Sequence, residues 1–342
     1  MGLPGVAYLT GVCNAFWTAV GLGIGTYVNW LIVAKRLRKY SVICGDAITV
    51  PDFFANRYRD KKVLKCVSAL MIIIFFVPYT ASGFAACGKL FHSLFGVVYM
   101  AAMVISAIVI VAYTTLGGFW AASTSDFIQS IVMSVALIIV IGYGVYSVGG
   151  IDVVASNVKD LPGYINLNAT FDATTNSSSP YGIITIFSTL AWGLGYFGMP
   201  HILLRFMAIE DSRKLTLSRR IATIWVVISM AIAVSIGIIG YSMSINGIVP
   251  SFGSSSEAET IIVQIAHHLS NNGLLFAIVA GLILAGILAS TMSTSDSQLL
   301  AASSSVTENL IGGVFNIKLS AKANIIVARI SVIAISIIAV FL

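Results

Sequence analysis

Eight long apolar runs constrain this chain more than any other feature. They lie near residues 6–33, 64–88, 97–118, 127–148, 182–199, 221–245, 273–299 and 323–342. A helix needs about 17 to 25 such residues to cross a hydrocarbon core. In lipid, every backbone polar group has to be bonded within the span itself. Only 9% of the residues are charged, where a water-facing domain carries roughly 25%. The expectation is an all-α polytopic membrane protein with about eight transmembrane helices, one transmembrane domain occupying 1–342. The fifth run is the weakest, because glycines dilute it.

The formal net charge of +6 is distributed as a membrane protein distributes it, which argues against a nucleic-acid partner. Lys35, Arg36, Arg38, Lys39, Arg57, Arg59, Lys61 and Lys62 fill the first loop; Arg205, Arg213, Lys214, Arg219 and Arg220 fill the fifth; Lys318 and Lys322 sit in the seventh. The intervening loops hold only Lys89 and Lys159. Cytoplasmic loops are the ones enriched in Lys and Arg, so the odd loops are expected inside and residue 1 outside. Cys13, Cys44, Cys66 and Cys87 have no metal-binding or disulfide spacing and read as packing residues. The chain opens at the mouth of a helix and stops within the apolar run "ISVIAISIIAVFL", which reads as a fragment cut at both ends.

Read against those runs, none of the thirteen acidic residues and none of the four histidines falls mid-span. A proton relay needs a titratable group in the membrane interior, so proton coupling is not expected. Asp126, just ahead of the fourth run, reads as a helix N-cap. Hydroxyls are plentiful instead. In "LAGILASTMSTSDSQLL", Ser290, Ser293, Thr294 and Ser297 follow an i, i+3, i+4, i+7 spacing that puts them on one helical face. Neutral oxygens in such a row suit sodium, completed by carbonyls from an unwound neighbour. Small hydroxyl residues also let membrane helices pack closely, and on spacing alone that packing reading is the favoured one.

The stretch "LAWGLGYFGMPHILLRFM" carries its own breaking points. Gly193, Gly195 and Gly198 permit an interruption, and Pro200 removes a donor from the ladder. Irregular backbone at membrane depth is tolerated only where protein or a watery cavity surrounds it, so a broken span points to a binding site. Trp192 and Tyr196, four apart, share one face of an α-helix and are placed to cover a small apolar body with a carboxylate. In the second run, "FFVPYTASGF" repeats the pattern more weakly around Tyr79. "ITVPDFFANRYRDKK" reads as a short cytoplasmic helix begun by Thr49 and Pro51, with Asp52 in its first turn.

These segments, together with "NWLIVAKRLRKYS", "YTTLGGFWAASTSDFIQ" and "MSTSDSQLLAASSSVTENL", resemble the sodium:solute symporter family along essentially the whole chain, most closely its proline branch. The resemblance implies a five-plus-five inverted-repeat core of the leucine-transporter type. In that core this chain would lack the first and last helices, the fifth run would be a broken helix, and the seventh would supply sodium ligands. By position it implies Tyr79, Trp192, Tyr196 and Pro200 as substrate-facing residues. Ser290, Ser293 and Thr294 would be sodium ligands, Ser290 through its backbone, and Asp126 would act in coupling. Met199 departs from the glutamine of proline carriers, which leaves fine substrate preference open.

The expected function is therefore sodium-coupled symport of L-proline across a plasma membrane, that of a bacterial cell. Sodium would be the coupling ion, with no organic cofactor and no enzymatic activity. The alternatives are a sodium symporter of the same family for another small solute, or a non-transporting fragment of one.

Overall fold

The computed structural model describes residues 2–60, 62–173 and 175–342; Lys61, counted above among the first-loop cations, lies outside them. In chain order the helices are α1 Gly2–Thr10, α2 Val12–Val28, α3 Lys35–Ile43, α4 Val50–Tyr58, α5 Val63–Phe95, α6 Tyr99–Val148 and α7 Ile151–Lys159. A hairpin follows, β1 Ala169–Asp172 paired antiparallel with β2 Ser177–Pro180. Then come α8 Ile183–Leu190, α9 Pro200–Ala208, α10 Leu215–Ile245, α11 Ser255–Ala258, α12 Ile261–Ser270, α13 Leu274–Ser304 and α14 Ala321–Phe341.

Among the described residues, six helical stretches are long and apolar enough to cross a membrane, or up to seven if α8 and α9, with the segment joining them, count as one broken span. The difference from eight runs lies mainly in α6. At about 1.5 Å per residue its 50 residues would extend about 75 Å, more than twice a core of about 30 Å. It contains both the third and the fourth run, and Gly118 (φ 61°, ψ −159°) breaks its helical geometry between them. The first run is interrupted as well. Gly11, in the left-handed region at φ 74°, separates α1 from α2, and the helical span then continues past residue 33 to Ile43. Hydropathy ends a span where polar residues begin, whereas backbone hydrogen bonding carries the helix on through Lys35 to Arg38, whose long stems keep their charges at the interface.

The described residues form two compact units. The first comprises Met1–Val28, Ser130–Tyr196 and Arg219–Leu288. Here α1 lies hard against α10: a Cβ on Gly237 would stand 2.4 Å from the Pro4 carbonyl oxygen. An aromatic cluster binds the hairpin region to these helices, with ring centroids 5.2 Å apart for Tyr8 and Tyr241, 4.9 Å for Tyr164 and Tyr241, and 5.2 Å for Tyr164 and Phe171. Each aromatic contact of this kind adds about 0.5 to 1.5 kcal/mol beyond burial. The Val12 amide donates to the Tyr164 carbonyl at 2.8 Å, and the Trp17 indole donates to the Leu167 carbonyl at 2.9 Å. Burial in this loop raises the Tyr164 hydroxyl well above the ordinary tyrosine range.

The second unit comprises Asn29–Gln129, Phe197–Ser218 and Ala289–Leu342. A cluster of Ala34, Leu37, Val50, Leu203, Phe206, Met207 and Leu215 forms one part of its core. The expected short helix is α4: the Thr49 hydroxyl caps it by accepting from the Asp52 amide at 3.2 Å, and proline occupies its first turn. Asp52 also pairs with Lys65 at 2.5 Å. The Asn309 amide, on a π-helical segment Ser305–Val314 that continues α13, donates to Thr49 at 2.7 Å. The four cysteines are free thiols.

Candidate functional site

After α8 the chain tightens into a 3-10 helix, Ala191–Phe197, turns at Gly198 and restarts as α9. The expected interruption is present, and its mechanism differs from the expected one. Met199 is extended (φ −74°, ψ 106°) and precedes Pro200 at the first position of the new helix. A proline pushes the preceding residue out of the helical region, and at the first helical position its missing N–H would have been unpaired in any case. Pro200 thus starts α9 and leaves no gap inside an existing ladder.

Gly193 serves close packing. A Cβ there would lie 2.0 Å from the Gly21 carbonyl oxygen, and one on Gly25 would lie 2.3 Å from the Gly193 carbonyl oxygen. The 3-10 segment and α2 therefore touch backbone to backbone, as small residues allow in membrane helices. A Cβ on Gly195 would meet nothing within 4 Å.

The 3-10 geometry also separates the two aromatics. Residues four apart lie about 40° apart around an α-helix but about 120° apart when there are three residues per turn. Trp192 is 69% exposed, while Gly193 is buried and Tyr196 half-buried. The shared face expected from α-helical spacing is absent.

Trp192, Gly193, Gly195 and Tyr196 belong to the first unit; Tyr79, Asp126, Gly198, Pro200, Ser290, Ser293 and Thr294 belong to the second. Tyr79 is exposed on α5, which runs through Pro78 without a break. On α13, the Ser293 and Thr294 hydroxyls both donate to the Ser290 carbonyl, at 3.2 and 3.3 Å. Their oxygens keep lone pairs for an outside ligand. Ser290 and Thr294 are exposed and Ser293 is half-buried.

One turn further on, the second unit holds an ionic cluster that the sequence reading missed. Asp296 is fully buried. It accepts from the Tyr113 hydroxyl at 2.9 Å and from the Ser297 hydroxyl at 3.2 Å. Arg205 on α9 donates to Ser297 at 2.7 Å and pairs with Asp126. Arg205 thus pairs directly with Asp126 and reaches Asp296 only through the Ser297 hydroxyl, in a polar chain that joins α6, α9 and α13. The expectation that acids fall only at span ends or in loops gives way, in that both lie inside helices: Asp296 is buried within the 41-residue helical stretch Leu274–Val314, and Asp126 lies within α6. The N-cap reading of Asp126 fails with it, since α6 runs helically through this residue and its break is at Gly118. The polar run "STSDSQ" had made the seventh span look finished by 299.

Other buried polar atoms of the second unit have no hydrogen-bond partner among the described residues. They include Asp126 Oδ1, both amide ends of Gln298, His201 Nδ1, Thr80 Oγ1 and Gln129 Oε1. Buried polar groups are nearly always satisfied by protein, water or ion. Among the described residues no group of three or more His, Cys, Asp or Glu side chains is placed to hold a metal. A sequence signal for the cluster existed in the pairing of two acids with an arginine in otherwise apolar stretches. Sequence alone did not show that they converge.

The model of the sodium:solute symporter family matches residues 1–342. Sodium/proline symporter 2 of Staphylococcus saprophyticus is 39% identical over 346 residues, covering 100% of this chain and 64% of that protein. A sodium/proline symporter of Staphylococcus aureus is 39% identical over 345 residues, covering 99% of this chain and 63% of that one. The chain thus spans a little under two thirds of the length of these curated relatives. Among solved structures, a Na+-coupled sialic acid symporter in a substrate-bound outward-open state superposes with a TM-score of 0.73 at 14% identity, over 99% of this chain and 72% of that one.

Proposed function

The chain belongs to the sodium:solute symporter family, a family of transporters and not of enzymes, and from that premise we propose that it is the greater part of a carrier that moves L-proline together with sodium across the plasma membrane. It is a multi-pass membrane protein with the leucine-transporter-like fold. The observation that carries the proline reading is the 39% identity, over the whole chain, to proteins named as sodium/proline symporters.

In this reading Trp192 and Tyr196 of the first unit serve the substrate, and so, on the family resemblance, do Tyr79 and Pro200 of the second. Ser293 and Thr294 bind sodium through their hydroxyls and Ser290 through its carbonyl. Asp126, held by Arg205, transmits the occupancy of the sodium site. Residue 1 lies outside in this reading, which the Lys and Arg of the odd loops support. Coupling needs no covalent chemistry: sodium with higher affinity for the outward-open state shifts the population toward the form that also accepts proline. One charge moving through 100 mV supplies about 2.3 kcal/mol, to which the sodium gradient adds.

The test is uptake of labelled proline into proteoliposomes containing the full-length protein. A sodium gradient is expected to drive accumulation, and other amino acids and organic acids are expected to compete poorly. Equal uptake under a potassium gradient refutes sodium coupling; efficient competition by another solute class refutes proline as the substrate.

A further inference from the structure

Within the first unit, α2 and α10 enclose an apolar groove of about 600 Å³. Its walls include Phe16 and Tyr27 from α2 and Thr223, Val227 and Ala231 from α10. From Phe16 to Tyr27 the helix rises about 17 Å at 1.5 Å per residue. That is close to the depth of one leaflet, about half of a 30 Å core.

The two ends differ in chemistry. The Arg219 guanidinium, one turn before Thr223 on α10, stands 5.3 Å from the centre of the Tyr27 ring. Among the described residues, buried Arg219 Nε has no acceptor and buried Thr223 Oγ1 has no partner. Arg219, Thr223, Val227 and Ala231 recur every four residues and so follow one another along a single face of α10. A cation with an unpaired donor, then an unpaired hydroxyl, then an apolar channel one leaflet deep is a sequence that matches phosphate, ester and acyl chain in turn. The basic end carries Arg219 and Arg220, which the positive-inside pattern assigns to the cytoplasmic side. Basic sites between membrane helices on that side suit anionic lipid headgroups.

We propose that the α2/α10 groove is a binding site for one anionic glycerophospholipid of the cytoplasmic leaflet, its phosphodiester on Arg219 and one acyl chain along Val227 and Ala231. A zwitterionic lipid fits the channel equally well, but its own cation opposes the guanidinium. Selectivity therefore resides at Arg219 and affinity in the groove.

The test is native mass spectrometry of the full-length protein in detergent, titrated separately with phosphatidylglycerol, phosphatidylcholine and glycerol 3-phosphate. Phosphatidylglycerol adducts are expected to be favoured about fivefold over phosphatidylcholine, the worth of one basic residue near a membrane surface. Arg219→Gln removes that preference and Arg219→Lys retains most of it. Ala231→Phe fills the channel and weakens both lipids alike. Gly23→Leu does so from the opposite wall, where a Cβ meets only Val227 Cγ2 at 3.5 Å, and it replaces Ala231→Phe if that variant unfolds. Equal adducts of the two lipids, an undiminished preference in Arg219→Gln, or full binding in both filled variants each overturn the proposal. Competition by glycerol 3-phosphate as strong as that by the lipid overturns it in favour of a simple anion site. A lipid-free dimer lost on filling the groove overturns it in favour of a second copy of the chain.

Discussion

Replacing Gly193 with alanine adds one methyl group where there is no room for it. The new carbon would stand 2.0 Å from the Gly21 carbonyl oxygen, 2.8 Å from the Gly21 carbonyl carbon and 3.2 Å from the Gly25 Cα. All three are backbone atoms and two glycines already face the site, so no side chain can rotate away and no smaller partner can be substituted. The 3-10 segment and α2 have to separate by more than 1 Å to restore ordinary contact, forfeiting dispersion along their whole seam. Overpacking of a well-packed core costs typically about 1 to 3 kcal/mol, and the rigidity of this contact puts the expected loss near the upper end. Gly195→Ala is the internal control. Its Cβ meets nothing within 4 Å, and removing a glycine costs nothing where the conformation tolerates a side chain. Thermal unfolding of the purified variants, followed by tryptophan fluorescence, is expected to show Gly193→Ala markedly destabilised and Gly195→Ala at or above the parent. Equal transitions for the two variants refute the backbone-to-backbone contact, and with it the account of why glycine stands at 193.

Three further variants test the site. Thr294→Ala is expected to raise the sodium concentration that half-activates proline uptake by about tenfold, the loss of one good ligand or about 1.4 kcal/mol; unchanged activation removes Thr294 from the sodium site. Trp192→Ala is expected to raise the half-saturating proline concentration at least tenfold while leaving sodium activation within twofold, measured by initial rates of uptake. Arg205→Gln leaves Asp126 without its cation and Ser297 without its charged donor. Since Arg205 is itself 40% exposed, the expected destabilisation is on the order of 2 kcal/mol, the range for a charge-assisted hydrogen bond. It is partly recovered in Arg205→Gln/Asp126→Asn, where one uncompensated charge is gone. Additive losses in the double variant argue against direct coupling of the pair.

The number of apolar runs, their polar separators and the alternation of basic loops were all visible in the sequence, because hydrocarbon imposes a length and a composition on anything that crosses it. The interruption before Pro200 was visible for a similar reason: proline constrains its own neighbourhood. The cap at Thr49, with proline and Asp52 in the turn that follows, is likewise a local matter, and it was read correctly. Span ends were read less well. Helices continue through Lys35, Asp296 and Ser304 where hydropathy falls, since the ladder of backbone hydrogen bonds is indifferent to which side chains it carries.

The charge cluster was out of reach for a different reason. Asp126, Arg205 and Asp296 are 79 and 91 residues apart in turn, and no periodicity links positions on three helices. The same holds for Gly193, read as a point of weakness when its neighbour is a carbonyl in α2, and for Trp192 and Tyr196, whose separation depends on 3-10 winding that residue spacing cannot reveal. That this chain forms a bundle of bilayer-crossing helices, and where one of them breaks, follows from local chemistry set against a fixed solvent thickness, and so could be read from the order of residues. Only the tertiary structure decided which buried charges meet and which glycines serve contact instead of bending, because those outcomes depend on distances between segments far apart along the chain.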